Sequence, residues 1–509
     1  MPRVTIDHLW LIVPAALVVW RGLLQPVRLL DFWWHLKAGE VIVTSGSIPR
    51  TEDFSFTAAG HTSIPHCWLA QALYYLGYCV GGLPLLIACN VALLLGAFLL
   101  VFCLCLEDSG SGRSGVVSGM LAAISLALFS GMRPHVFSFV LLASFHWILL
   151  SYRGRLRDWL WALPLLMALW VNLHGAFIIG WGLCVLILVC EALRRLTSIS
   201  QSDVLSGREL AKLGAVVLVT SIAILLNPEG YGILGFVRTF GNSKYDFVLE
   251  WQVPRINSLE GILIFYGPFF VSLVVLFWTR QRIDLTELGI FLTFAAFGLS
   301  SYRNGVWFSL VSAPIVARHL RTIPVGEYLA RLKRNRFTGT MARLTIIWKD
   351  APNPRYGLNL AIAAFMVLIT VVVSPWVYPT LGLRPSHSGL LEKETPVGAM
   401  DYLAQHQIQG HIFHPQLYGD YLVWRLWPRQ RAFFDSQVHL FGATLLEDYA
   451  LVFLDRHWEE RLERYDIRFL LLRKDADDNQ MMIDDARHSV NWRVLHEDGL
   501  SVLFEKCLQ

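Results

Sequence analysis

The chain has 509 residues, of which 55% are hydrophobic and only 16% charged, with a formal net charge of +4. So apolar a composition excludes a soluble globular protein of this length and implies a polytopic membrane protein. The small charge is spread along the chain with no basic, aromatic-interleaved stripe, which argues against nucleic acid as a partner.

The first apolar run, Leu9 to Leu24, carries Arg21 and lacks an A-x-A cleavage pattern, so it reads as a retained helix and not a removed signal. Windows long enough to cross a bilayer fall near 8–25, 84–106, 116–131, 134–151, 157–172, 174–192, 211–227, 262–279, 285–301, 304–319 and 358–377, about eleven spans in all. The run 66–80, HCWLAQALYYLGYCV, is short and amphipathic; it is expected to lie at the interface, at the end of a long first loop over 26–83. With a cytoplasmic N-terminus, the inner loops hold YRGRLRD, ALRRL to Lys212, TRQR and RHLRTIPVGEYLARLKRNRF, while the outer loops are poor in Lys and Arg. This predicts a multi-pass protein of the cytoplasmic (inner) membrane, α-helical over 1–380, with a small soluble α/β domain over 381–509 on the outer, periplasmic side.

That tail is charged and carries strand-like AFFD, IRFLLLR, WRVLHE and SVLFE between amphipathic VGAMDYLAQH, GDYLVWRLW and LEDYALVFLDRHWEERLERY. WRVLHEDGLSVLFE reads as a hairpin turning at Asp498-Gly499. Asp420 and Asp435 lie beside apolar stretches, where turn or capping roles are expected. The cysteines fall mostly inside apolar runs with no CxxC pair, so neither a zinc site nor a disulfide framework is legible.

Sorted by side, Asp31, His35, Asp53, His66, Arg133, His135, Asn172, His174, Asn227, Glu229, Glu250 and Arg303 all fall on the outer face. An ionisable side chain near the bilayer centre costs about 2.5–3.5 kcal/mol on insertion scales. Charges within SGMRPHVFSF, WVNLHGAF and SSYRNGVWF are therefore expected to line one outward-opening polar cavity. Asp31 follows a span directly and is flanked by Phe32 and Trp33, an apolar setting that can hold a carboxylate against a ligand; Asp53 in TEDFSF is the second candidate acid. The blander reading makes Asp31 a cap or a partner of Arg28, with Trp33 and Trp34 as anchors among the headgroups. Glu250-Trp251 sets an acid beside an aromatic, a common way to hold a sugar, while Asn172 to Gly175 reads equally as substrate contact or a capped helix junction. His35, His66, His135 and His174 with Asp31 or Asp53 leave a divalent ion as an alternative, although none is spaced as an HExxH unit. No cofactor is otherwise implied.

The pattern D-x-W-W-H-L-x-x-G (Asp31 to Gly39), then P-x-x-D-x-F-S (Pro49 to Ser55), then Trp68-Leu69, resembles the GT-C class of integral-membrane glycosyltransferases. Arg133-Pro134, NLHG, NPEG, Glu250-Trp251 and GDYLVW are further pieces of that resemblance, which runs the whole length and is nearest to bacterial multi-spanning members. The resemblance implies a polyprenyl-phosphate-linked sugar as donor, membrane lipids as surroundings and a protein, lipid or glycan acceptor. It implies that Asp31 deprotonates the acceptor, with inversion at the anomeric carbon, and that Arg133 and Arg303 receive the leaving phosphate, which guanidinium forks bind bidentately. Many members carry two adjacent acids in the first loop; here Asp31 is followed by Phe32, and the next acid is Glu40. A transporter or flippase, or a non-catalytic scaffold, are the competing readings. The transporter wants polar, broken helices at the midplane, whereas 84–106 and 358–377 are nearly uninterrupted apolar runs.

Overall fold

The computed structural model describes residues 4–109, 112–197, 204–242, 249–323, 356–382, 389–454 and 457–507. Each of the eleven apolar windows carries a helix. These are α1 (Ile6–Leu24), the second part of α3 (Trp68–Ser109), α4 (Gly112–Leu128), α5 (His135–Arg153), α6 (Ala162–Leu173), α7 (Phe177–Thr197), α8 (Gly207–Ala223), α10 (Leu259–Trp278), α11 (Leu285–Ser300), α12 (Gly305–Leu320) and α13 (Tyr356–Val372). Five helices are long and apolar enough to cross a membrane: Trp68–Glu107, His135–Arg153, Phe177–Thr197, Gly207–Leu226 and Leu259–Trp278. His8–Leu24, Ser114–Leu128, Ala162–Leu173, Leu285–Ser300 and Tyr356–Val372 are apolar but shorter. A short α9 (Gly232–Asn242) lies between α8 and α10. Segments 198–203 and 324–355, within two of the loops on which the positive-inside reading rests, lie outside the described residues.

Local chemistry sets several of these boundaries. Ser206 with Glu209 and Asp284 with Glu287 form capping boxes that open α8 and α11. Within α3, Gly81 (φ −147°, ψ 16°) and Gly82 (φ 60°, ψ −158°) break the helix just ahead of Pro84. Only glycine adopts the Gly82 conformation at low cost, so the amphipathic 68–80 stretch is separated from the apolar one that follows. The bundle core is aromatic, with Phe98, Phe139, Phe145, Trp170, Phe177 and Phe308 each fully enclosed.

The first loop departs from expectation in its opening part: Phe32–Ser45 forms helix α2, which ends at Gly46 in the left-handed conformation (φ 66°). Its apolar side packs Phe32, Trp33 and Leu36 against Tyr418, Tyr421, Leu422 and Leu426 of the C-terminal part. Trp33 and Trp34 are therefore buried, at 2% and 9% exposure, and the reading of them as headgroup anchors is corrected. Trp33 meets Tyr421 edge-on at 5.0 Å and Trp424 at 6.3 Å. Full burial of a large apolar side chain is worth about 1.5–3 kcal/mol, which makes the tail, not the headgroups, their favoured surroundings.

The C-terminal part holds a four-stranded sheet in the order β1-β2-β4-β3, where β1 is His411–Phe413, β2 Ile467–Arg473, β3 Trp492–Glu497 and β4 Ser501–Lys506. β1 runs parallel to β2, and β4 is antiparallel to both β2 and β3. The β3–β4 hairpin turns at Asp498-Gly499 as expected, with Asp498 Oδ1 accepting from the Leu500 and Ser501 amides at 2.8 and 2.7 Å. The expected helices appear as α14 (Val397–Gln405), α15 (Gln416–Leu426), α16 (Ala443–Val452) and α17 (Trp458–Glu463), joined by α18 (Asp477–His488). AFFD is no strand of this sheet; Ala432 instead bridges Ser55 of the first loop. Its amide donates to Phe54 O at 2.8 Å and its carbonyl accepts from Phe56 at 3.1 Å.

Candidate functional site

Asp31 occupies a tight turn immediately before α2, with φ 70° and ψ −47°. The Phe32 amide donates to Leu30 O at 3.0 Å across it, which makes a γ-turn of the positive-φ kind. A residue with a Cβ in such a turn costs on the order of 1–3 kcal/mol and persists only where its surroundings over-determine it. Here the tail supplies the restraint. The Asp31 amide donates to Asp420 Oδ2 of α15. The Leu29 amide donates to Glu392 Oε2 at 3.0 Å, and Val27 exchanges backbone bonds with Leu390 and Glu392 at 2.8 and 3.1 Å.

The turn presents the Asp31 carboxylate to Arg133, which the α4–α5 connection carries just ahead of Pro134. Arg133 Nε lies 3.0 Å from Asp31 Oδ2, and its Nη1 donates to both oxygens of Glu250, at 3.0 and 2.8 Å. The side chains of Asp31 and Glu250 remain 30% and 40% exposed while that of Arg133 is 19% exposed, so the two carboxylates face open space. Arg303 comes from a 3-10 turn, Tyr302–Asn304, between α11 and α12. Its guanidinium lies over the Trp251 ring at 5.4 Å, within reach of cation–π attraction. Glu250, Arg133 and Asp31 all act on it electrostatically. Two acids and two guanidinium groups thus balance in one cluster, drawn from four distant segments.

The candidate histidines converge behind this cluster, since His174 feels His135, His66 and His35 electrostatically. Each is engaged through one nitrogen. Gln71 Nε2 donates to His35 Nδ1 at 3.0 Å, which fixes its proton on Nε2. His66 Nδ1 donates to Ile64 O at 3.1 Å and its ring stacks on Phe236 at 4.1 Å. His135 Nε2 donates to Phe129 O at 3.3 Å. In a relay into the bundle core, Trp170 Nε1 donates to Ser138 Oγ at 2.7 Å and Ser138 donates to His174 Nδ1 at 2.8 Å. Asn172 acts as a joint between helices, accepting from Trp68 Nε1 at 2.7 Å and donating to Ala168 O and Leu226 O at 2.8 and 3.2 Å. Among the described residues, no group of three or more His, Cys, Asp or Glu side chains is placed to hold a metal ion. The carboxylate nearest the Asp31 turn, Asp420, has N–H and O–H donors on its oxygens and a guanidinium neutralises Asp31, so the donor set does not suit a divalent cation.

Asp420 is the residue that sequence reasoning passed over. It is fully buried. Oδ2 accepts the Asp31 amide and the Ser436 hydroxyl, the latter at 2.7 Å, and Oδ1 accepts the Ser436 amide at 3.0 Å. Burial foremost, then the neighbouring Asp31 charge, pushes its carboxyl up to about 7. Asp435 follows: burial, Glu52 and Asp420 raise it well above the usual carboxylate range. Glu52 is raised by burial as well. Gln437 Nε2 bridges the last two, at 3.0 Å to Glu52 Oε2 and 3.1 Å to Asp435 Oδ2. The GDYLVW pattern was visible, but nothing local in the sequence pairs position 420 with position 31.

Asp53 is not brought to Asp31. It pairs with Arg431 at 2.5 Å, half exposed, and its carbonyl accepts from Trp427 Nε1 at 3.0 Å. It does line a cavity of about 420 Å³ between the first loop and the tail, together with Trp34, Glu52, His66, Gln71 and His439. Burial lowers His66 and His439 to about 4, so both are neutral there. Trp34 Nε1, which has no hydrogen-bond partner among the described residues, belongs to this wall.

No protein-family model and no curated protein matches the chain. Solved structures do. The Archaeoglobus fulgidus oligosaccharyltransferase in its apo form aligns with 92% of this chain and 69% of its own, at 14% identity and a TM-score of 0.54. ArnT from Cupriavidus metallidurans in the apo state aligns over 97% of both chains at 15% identity, with a TM-score of 0.51. The chain has the GT-C fold. The mycobacterial arabinofuranosyltransferase AftD is similar over 98% of this chain but only 41% of its own length, at 12% identity and a TM-score of 0.50. The GT-C fold and the apolar helices together make this a multi-pass membrane protein.

Proposed function

We propose that the chain is an inverting glycosyltransferase that takes a sugar from a polyprenyl-phosphate donor at the outer face of the cytoplasmic membrane. The observation that carries this reading is the Asp31–Arg133–Glu250 cluster: partly exposed carboxylates held around a partly buried arginine, at the end of the bundle that meets the tail. Likeness to solved structures of the GT-C fold, among them an oligosaccharyltransferase and an arabinofuranosyltransferase, supports it.

In this mechanism the Asp31 carboxylate takes the proton of an acceptor O–H or N–H as that atom attacks the anomeric carbon. The bond from that carbon to the phosphate oxygen breaks on the opposite side, the electron pair leaves with the lipid phosphate, and the configuration inverts. A positioned base contributes about 10²–10⁴ in rate. Arg133 holds Asp31 in aim, while Arg303, stacked on Trp251, receives the departing phosphate with Arg133 beside it. Two unit charges about 4 Å apart attract by roughly 4 kcal/mol at an effective dielectric near 20, enough to favour departure. Glu250 keeps the cluster neutral until the phosphate enters, and His35, His135 and His174 line its inner wall. The acceptor approaches from the cavity lined by Trp34, Asp53 and His66, with the tail on the periplasmic side.

The test is Asp31→Asn in purified, reconstituted protein, assayed with a panel of undecaprenyl-phosphate sugars. Transfer is expected to vanish while the protein still folds. Parental turnover in that variant removes the assignment, and lipid flipping in proteoliposomes without sugar transfer replaces it with a transport function.

A further inference from the structure

We infer that Asp420 is a positioning residue for the base: from the C-terminal part, its carboxylate locks the strained turn that aims Asp31. The inference rests on the transferase reading and deepens it by making the tail part of the reaction centre.

The geometry has three parts. The γ-turn at Asp31 is a conformation that a residue with a Cβ does not keep unaided. Its one outward amide, that of Asp31 itself, donates to Asp420 Oδ2 across 389 positions of sequence. Asp420 is in turn oriented, because Ser436 donates its hydroxyl to Oδ2 and its amide to Oδ1, at 2.7 and 3.0 Å. A carboxylate that meets three donors and no acceptor is matched to its ionised form. Trp33, the second residue of α2, is clamped between Tyr421 and Trp424 of the same α15, so helix and turn are fixed by one element.

The charged groups facing Asp420 are the carboxylate of Asp31, the guanidinium of Arg133 and the carboxyl of Asp435, with Glu52 beyond it. Protonating Asp420 turns one acceptor oxygen into an O–H that faces a donor. The Asp31 amide or the Ser436 amide then loses its partner, and the turn loosens. Asparagine imitates that protonated state.

The experiment compares the full-length parent with Asp420→Asn and Ser436→Ala, reconstituted in nanodiscs. The probe is whichever undecaprenyl-phosphate sugar the parent turns over, with a Gram-negative envelope lipid extract as acceptor source. Amide hydrogen exchange at Asp31 is read in parallel. In Asp420→Asn, kcat is expected to fall roughly 100-fold, the effect of a 1 Å misplacement of a catalytic group, with an unchanged KM for the donor. The parent's kcat is expected to drop as pH falls below about 7; the variant's is expected to lack that limb, and its Asp31 amide to exchange faster. Ser436→Ala is expected to do the same to a lesser degree. An Asp420→Asn enzyme with the parent's kcat and the parent's acid limb, when Asp31→Asn is dead, overturns the lock and leaves the transferase standing. If Asp31→Asn is itself active, the transferase reading falls. The exchange arm then decides the contact alone: unchanged protection at Asp31 in Asp420→Asn overturns it.

Discussion

Each end of the bundle holds an arginine between two carboxylates, and the two are built for opposite ends. At the end away from the tail, Arg153 Nε meets Glu191 Oε1 at 2.7 Å and its other arm meets Asp284. Arg194 and Thr286 add bonds to the same Glu191 oxygen, each at 2.7 Å, and the Glu191 side chain is wholly enclosed. At the end under the tail, Arg133 spans Asp31 and Glu250 with both acids partly open. The groups are alike and the spacing is alike. What differs is access: one cluster encloses Glu191 completely where three helices meet, and the other leaves both acids ajar because they come from turns. The cluster that can still be approached is the one proposed above to react.

The sharpest way to break this contrast is to mutate one member of the cluster at each end. Asp31→Asn is expected to reduce turnover about 10²–10⁴-fold, with a melting temperature near the parent's, as followed by a sugar-transfer assay and a thermal melt on one preparation. Arg153→Met should reverse the pattern. It strips a buried acid of its main cation, at a cost of about 3–5 kcal/mol, so the melting temperature falls while turnover per folded molecule holds. Arg133→Lys sharpens the comparison further, because an ammonium cannot fork between two acids. Turnover is expected to fall about tenfold, a loss of roughly 1.4 kcal/mol in transition-state stabilisation; an unchanged kcat/KM would show the fork to be idle.

The smallest expected effect is one of pH on stability. The raised carboxyl of Asp420 binds a proton in the folded state where the unfolded chain has released it, between the ordinary carboxylate range and about 7. Its folded-state penalty therefore grows as pH rises through that window. Asparagine does not titrate, so the melting temperature of Asp420→Asn minus that of the parent should climb from pH 4.5 to 7.5. A flat difference would mean that the site is better solvated than its burial implies.

The bundle was legible because apolar windows report helices directly, and the Asp498-Gly499 hairpin because its turn has few alternatives. Asp31 and Arg133 were legible as charges that a membrane protein has little reason to keep. Helix α2 was hidden by its own richness: Trp33, Trp34 and His35 drew attention as interface chemistry, whereas Phe32, Leu36 and Ile42 at helical spacing, followed by Gly46, already marked a helix and its end. The second candidate acid was sought in the same loop, at Asp53. The carboxylate that meets the Asp31 turn is instead Asp420, and a single sequence holds no record of which distant turns will meet. Asp53 stood out for the same acidic chemistry, yet the fold pairs it with Arg431 at a different place along the junction.

The span of 389 positions between Asp31 and its partner has a bearing on biosynthesis. A nascent chain inserts its helices one after another, and Asp31, the proposed base, is among the first residues made. Under the lock described above, it stays misaimed until the last quarter of the polypeptide has emerged and docked. On the proposed transferase reading, translation carries a built-in delay on reactivity, and a ribosome that stalls midway would leave an inert bundle behind.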